Sequence, residues 1–410
     1  MLIVAGSMAA PEWKPVTFPA RLHHLAIGFR AFRSILTLFA AFATSTALAG
    51  PRARDLGVPF EGDPGPLNAI TDVAGVTVGQ VTLIEDLADG HKVRTGVTAI
   101  LPRGRDTITT PAFAGSFVLN GAGEMTGRAW IDESGMLDGP VMLTNTHSVG
   151  TVHEATIAWR VKHGNPDASG YWWSTPVVAE TWDGELNDVN GFHVKPEHVF
   201  AAIDGAKGGP VDEGNVGGGT GMICHMFKCG IGTASRRIEV DGHAYTLGAL
   251  VQANYGARSS LRIAGVPVGQ ELPTKAQRGA ADTGSIIIVI ATDAPLLPHQ
   301  LDRIAKRAGM GLARMGSYSG NGSGDIFVAF STANLKAMLG KGPLAAEFVD
   351  NDSLDDLFEA TAQATEEAIV NSMVAARDMT GNDGHVAKAL PHDVLQALLK
   401  RYGRSGTTPR

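Results

Sequence analysis

The stretch TGSIIIVIATDAP (residues 283–295) sets five consecutive aliphatic residues, Ile286 to Ile290, behind a glycine and a serine. Successive side chains of a strand point to opposite faces, so an unbroken apolar run of this length reads as a strand buried on both sides. A sheet that contains it needs cover above and below. Ser285 after Gly284 raises a second question, because a small hydroxyl residue there fits a simple turn as well as a reactive group.

Around this run lie further β-rich apolar segments at 75–84 (GVTVGQVTLI), 95–102 (TGVTAILP), 112–120 (AFAGSFVLN), 139–146 (GPVMLTNT), 235–240 (SRRIEV), 244–254 (AYTLGALVQAN) and 325–332 (DIFVAFST). Helical spacing places Val149, Val152, Thr156 and Trp159 on one face, stopped by Gly164. A second stripe joins Leu301, Ile304, Ala305, Ala308 and Leu312. A third, between Ser353 and Met379, joins Leu354, Leu357, Phe358, Ala362, Thr365, Ile369 and Met373. Ser353 with Asp356 reads as its cap and Gly381 as its stop. Leu390 to Tyr402 forms a shorter helix with Pro391 in the first turn. Doubly buried strands beside amphipathic helices predict sheets lying between helices. Strict strand–helix–strand alternation is absent, which argues against a doubly wound dinucleotide fold. One α+β domain with stacked sheets is expected.

The chain has 410 residues, a formal charge of −7 and 44% hydrophobic residues, an ordinary composition for a soluble globular protein. Its mild acidity leaves no footprint for nucleic acid and no basic block for an anionic membrane. Residues 30–50 (RAFRSILTLFAAFATSTALAG) put Arg30 and Arg33 before an apolar stretch and an Ala47-Leu48-Ala49 triplet. That is the layout of a secretory signal peptide, with an apolar core too short for a membrane span. Residues 1–49 are therefore expected to be a leader with an N-terminal extension, cut near Ala49–Gly50. Residues 50–410 would form a periplasmic or secreted domain. A buried helix or a retained anchor is the alternative, as is a true start at Met8 or later. Cys224 and Cys229 are the two cysteines, read as small core thiols with a local disulfide as the other option.

The glycine cluster EGNVGGGTGM (213–222) lacks the Gly-Lys-Ser/Thr ending of a phosphate loop. Gly217 and Gly218 read as a tight turn or as a loop whose N–H groups face a bound carbonyl oxygen. His147, His153 and Glu154 invite a metal, but the second histidine of His-Glu-x-x-His is missing, so neither metal nor cofactor is expected. No Gly-x-Ser-x-Gly elbow surrounds Ser285. Were the Gly284–Ser285 bond cut, Ser285 would carry a hydroxyl and a free α-amine. Such an amine titrates near about 7.7–8.0 and can activate the neighbouring hydroxyl as a base. Gly284, without a Cβ, leaves its carbonyl open to attack. Ser323 and Asp325 project to one side of an extended segment. Asp325 could orient Ser323 or relay a proton toward Ser285; a glycine turn with solvated polar tips is the other reading.

Several long stretches together resemble one family: ARDLGVPFEGDPGPLNAITDVAGVTVG, LTNTHSVGTVHEA, PVVAETWDGELNDVNG, EGNVGGGTGMICHMFKCGIGTASR, LGALVQANYG, TGSIIIVIATDAPL and NGSGDIFVAFST. They are similar to the autoprocessing serine aminopeptidases, the family of L-aminopeptidase/D-Ala-esterase (D-aminopeptidase) and the β-peptidyl aminopeptidases, over residues 53–400. The resemblance implies a four-layer αββα sandwich like the N-terminal-nucleophile hydrolases but with different connectivity. It implies a precursor that cuts itself into an α chain (50–284) and a β chain (285–410), which stay associated, commonly as homotetramers. It makes Ser285 the nucleophile and Gly284–Ser285 the cleaved bond, supported by Ser323 and Asp325. Asn254 would help form the oxyanion hole, and Glu180 would receive the substrate's free amino group. Trp182 stands where the family usually has a tyrosine whose hydroxyl serves the oxyanion, and Cys229 where it tends toward glycine. Trp182, Gly217 and Gly218 are expected beside the substrate.

The function so implied is removal of a small N-terminal residue from short peptides, amino-acid amides, esters or β-peptides through an acyl-enzyme. No nucleic-acid partner is expected, and no membrane once the leader is gone. Two alternatives remain at this point. One is an acyltransferase of the ornithine-acetyltransferase type, whose nucleophile is a threonine. The other is a non-processing periplasmic binding relative, for which Trp182 is the sequence support.

Overall fold

A computed structural model describes residues 50–106, 108, 110–164, 173–274 and 283–406, so the expected leader lies outside the described residues. Two sheets carry the fold. In the first, β1 (Thr77–Asp86), β2 (Lys92–Leu101), β5 (Val141–Asn145) and β6 (Val177–Thr181) lie side by side in that order. The second orders β4 (Met136–Leu137), β3 (Ala112–Gly121), β12 (Gly322–Ser331), β11 (Thr283–Thr292), β10 (His243–Asn254) and β9 (Ile231–Val240). A small hairpin of β7 (Ile223–Cys224) and β8 (Phe227–Lys228) stands apart from both.

Neighbours are antiparallel except β5–β6 and β11–β12, which are parallel. A parallel pair needs a long crossover. The helix Val149–His163 supplies it for the first sheet, and Pro298–Arg314 for the second.

The aliphatic run of β11 divides as its alternation requires. Ile286, Ile288 and Ile290 pack with Leu301, Ile304 and Ala308 of Pro298–Arg314 and with Ile369 and Met373 of the helix Asp355–Val374. Ile287 and Val289 point the other way, into an apolar layer between the sheets with Leu143 and Ala179. A third layer joins Val97, Met142 and Val178 of the first sheet to Val152 and Trp159 of Val149–His163 and Ile203 of the helix Pro196–Asp204. The order helix, sheet, sheet, helix is the expected αββα sandwich. Among the described residues no helix is long and apolar enough to cross a membrane.

Three local expectations are corrected. The helix expected from Ser353 runs Asp355–Val374, entered through a short 3-10 turn at Asn351–Ser353 that Asp350 caps by accepting from the Asp352 N–H. It also stops well before Gly381, because Arg377 exchanges both backbone bonds with the Asn215 side chain, N–H to Oδ1 at 3.1 Å and Nδ2 to C=O at 2.9 Å. Cys224 and Cys229 are paired in a disulfide that closes the β7–β8 hairpin, rather than free core thiols.

Candidate active site

Ser285 opens the buried part of β11, where the strand is held from both sides. Across the antiparallel ladder it faces Asn254, the last residue of β10, and across the parallel ladder it faces Gly324 of β12. The residue is 5% exposed, and its Oγ accepts from the Gly324 N–H at 3.3 Å. Gly284 has φ +107, and a Cβ there would stand 2.0 Å from the Asn254 carbonyl oxygen. Only glycine lets the chain pass this close to β10 in that conformation.

Directly opposed residues share a sheet face. Asn254 and Ser285 therefore both look into the space between the sheets, on the side of Ile287. The Ile223 N–H donates to Asn254 Oδ1 at 2.8 Å, which fixes the amide orientation and leaves the NH₂ group as the free-facing donor. Ser323 and Asp325 are in register with Gly284 and Ile286, so they lie on the helix side. Ser323 Oγ donates to Asp325 Oδ1 at 2.7 Å, with both residues fully buried. This pair lies on the sheet face opposite to Ser285 Oγ, with Ser323 beside Gly284 in the ladder.

Glu180 comes from the other sheet, one residue from the end of β6. It is 3% exposed; one carboxylate oxygen accepts from the Glu124 N–H at 3.0 Å and the other from the Thr146 hydroxyl. Burial pushes its carboxyl above the ordinary value, against those two bonds to the charged form. A Cβ on Gly123 would lie 3.2 Å from both Glu180 Oε1 and the Gly324 Cα, so the carboxylate and the strand that bonds Ser285 meet at this glycine.

A cavity of about 800 Å³ opens over these groups, lined by Ser285, Gly284, Asn254, Glu180, Thr146 and Trp182 among others. The volume suits a small-molecule site. Its charged lining residues, among those described, are Glu124, Glu180 and Glu185, all acidic. Trp182 forms part of the rim at 43% exposure, its ring edge-on to His147 at 5.6 Å, and His147 stacks on Phe192 at 5.9 Å. Among the described residues no group of three His, Cys, Asp or Glu is placed to hold a metal ion.

The structure thus brings Ser285, Asn254, Glu180 and Trp182 to one cavity and sets Ser323 and Asp325 behind it. It does not bring Gly217 and Gly218 there. Both are buried in a 3-10 turn, and their N–H groups are consumed by Thr82 Oγ1 at 2.9 Å and Thr98 Oγ1 at 3.1 Å. From the same cluster it is Gly221 that reaches the lining. Thr146, Gly123 and Ile223 were not singled out from the sequence. Thr146 lies in the quoted LTNTHSVG stretch, but nothing in its spacing marks it as a carboxylate partner.

A four-layer αββα sandwich, with a serine near the start of β11 and a buried carboxylate lining one cavity, is the layout of the Ntn hydrolase fold. The sequence model of peptidase family S58 matches residues 68–387, and the chain belongs to that family. It is 56% identical to the beta-peptidyl aminopeptidase BapA of Sphingosinicella microcystinivorans over 381 residues, 88% of this chain and 95% of the relative. Among solved structures it is similar to the L-aminopeptidase D-Ala-esterase/amidase of Ochrobactrum anthropi, described as a prototype for the serine aminopeptidases and a new variant among the Ntn hydrolase fold. That match has a TM-score of 0.80 and 48% identity, covering 87% of this chain and 100% of the other. A Burkholderia sp. beta-aminopeptidase matches with a TM-score of 0.78 and 48% identity over 88% of this chain and 100% of the other. The protein is a serine aminopeptidase, a hydrolase acting on peptide bonds.

Proposed function

We propose that Ser285 is the nucleophile and that the chain cuts its own Gly284–Ser285 bond to arm it. The observation that carries this is the shared cavity of Ser285, the Asn254 amide opposite it and the buried Glu180 carboxylate. In the self-cut, Ser285 Oγ adds to the Gly284 carbonyl carbon, the C–N bond breaks, and the hydroxyl proton passes to the departing amine. Water then hydrolyses the resulting ester, leaving a Gly284 carboxylate and restoring the hydroxyl. The new α-amine would lie next to the Gly284–Ser323 register pair, and the Ser323–Asp325 pair would orient it.

In turnover the α-amine takes the proton from Oγ as Oγ attacks the substrate carbonyl. The Asn254 NH₂ donates to the oxyanion, the peptide nitrogen leaves protonated, and water releases the acyl group. Glu180 receives the substrate ammonium through a charge-assisted bond, which limits cleavage to the first residue. The acidic lining favours such an amine. The relatives' names point to a small α- or β-amino acyl residue in peptides, amides or esters.

The two chains, 50–284 and 285–410, would remain together and assemble as a homotetramer; exposed Leu339, Leu344 and Phe348 offer apolar surface for that contact. Residues 30–50 support export to the periplasm or beyond. One experiment tests the core of the proposal: N-terminal sequencing and intact mass of wild type and Ser285→Ala. Wild type should give two chains, one starting at Ser285, while Ser285→Ala stays whole and inactive. A wild-type protein that remains one uncut chain with full activity would overturn it.

A further inference from the structure

We propose that Lys228 is a positioning residue of the oxyanion site, acting on Asn254 through the Met222–Ile223 peptide group; this rests on the oxyanion role proposed for Asn254. Lys228 ends β8 and is fully buried. Its Nζ donates to the carbonyl oxygens of Cys229 at 2.5 Å, Met222 at 2.8 Å and Gly219 at 3.5 Å. Three acceptors around one nitrogen match the three donors of an ammonium, where a neutral amine has two. Among the described residues no carboxylate pairs with it. Burial draws its pKa well below the ordinary value, and the carbonyl cage opposes that by binding the charged form. A methionine would fill the same space without the desolvation cost, so packing does not account for the ammonium.

The Met222–Ile223 peptide explains where the charge acts. Its C=O receives Lys228 Nζ, and its N–H donates to Asn254 Oδ1 at 2.8 Å. One continuous path runs from ammonium to carbonyl, across the peptide to its N–H, and on through the asparagine amide to the NH₂ that serves the cavity. Each bond in such a chain polarises the next, by about 10–30% in condensed-phase estimates. Lys228 therefore pins the asparagine oxygen and draws positive charge onto the NH₂ where the oxyanion develops. Ile223 and Lys228 are register partners across the hairpin, and the disulfide joins the residue that follows each, Cys224 to Cys229.

The test is a double-mutant cycle on the purified, processed enzyme with β-alanine and L-alanine p-nitroanilides. Lys228→Met should lower kcat by about tenfold or more while KM stays within about twofold, less than the 10²–10³ of a lost direct donor. In an Asn254→Ala background the same change should move kcat by less than about twofold, because the path then ends nowhere. If Lys228→Met does not yield folded enzyme, Lys228→Arg is read in the same cycle, where its effect on kcat should likewise vanish with Asn254. Equal losses in both backgrounds, or a raised KM with kcat unchanged, would overturn the role of Lys228. Full activity of Asn254→Ala alone would overturn the role of Asn254 instead, whatever Lys228 does.

Discussion

At Glu180, burial and the proposed task pull against each other. Burial lifts the carboxyl above the ordinary glutamate range of about 4.3, yet an ammonium is best met by the charged form. Capture of the amine is therefore present above the raised pKa and lost on acidification sooner than for an exposed glutamate. We expect KM to rise as pH falls through that raised value with kcat less affected, read from full pH profiles. Glu180→Gln should abolish this limb and raise KM roughly ten- to hundred-fold, the range of a charge-assisted bond worth about 1.5–3 kcal/mol. Ser285, Asn254, Glu180 and Trp182 could be named in advance because long matched stretches carry them. Thr146 and Lys228 could not: a lysine in FKC reads as a solvated charge until the fold closes carbonyls around it. Gly217 and Gly218 misled because a glycine cluster signals close backbone approach without saying to what.

β11 is the element on which layers and site depend together. Its aliphatic run was legible as a strand covered on both faces, since both parities are apolar. Ile288→Ala should cost about 2–5 kcal/mol, measured by denaturant unfolding of an uncut Ser285→Ala background, because the cavity opens against two helices. Gly284→Ala acts at the strand's start: its Cβ would collide with the Asn254 carbonyl, at a φ that L residues rarely adopt. We expect it to slow the self-cut strongly, followed by electrophoresis over time, with a loss of stability of about 1–3 kcal/mol. The strand that carries Glu180 was not anticipated, although Val177, Val178 and Ala179 form an apolar run. Five residues with both faces buried have no alternation to reveal a period, and length alone separates them poorly from a loop. The overrun of the helix beyond Val374 had a different cause. Asn215, far away in sequence, takes both backbone groups of Arg377, and no local pattern announces such a partner.

Across the whole molecule, Glu367 ties the N-terminal segment to the helical layer. Fully buried, it bonds Arg54 at 2.7 Å, Arg236 at 2.9 Å and Asn68 at 2.6 Å. Burial pushes its carboxyl up, but the bond from Arg54 and the charge of Arg236 outweigh it, and the group ends below its ordinary value. Its stabilisation is therefore present above the unfolded carboxylate range and fades as pH falls through the lowered pKa. Glu367→Gln should cost about 3–5 kcal/mol at neutral pH, read as a lowered denaturation midpoint, because two guanidinium groups lose their buried partner.

The order of the second sheet, β4-β3-β12-β11-β10-β9, sets β11 and β12 between strands that precede residue 284 in the chain. A cut at Gly284–Ser285 would leave the second polypeptide's two strands as a pair between strands of the first, unable to part without dismantling the sheet. It would also change the molecularity of refolding. The precursor assembles this sheet as one chain, at a rate independent of concentration, whereas two separated pieces must first meet. Denatured mature enzyme should then recover more slowly on dilution, while Ser285→Ala recovers at a constant rate. For the cut protein, endurance would be governed by the barrier to unfolding rather than by an equilibrium, because the way in is closed behind it.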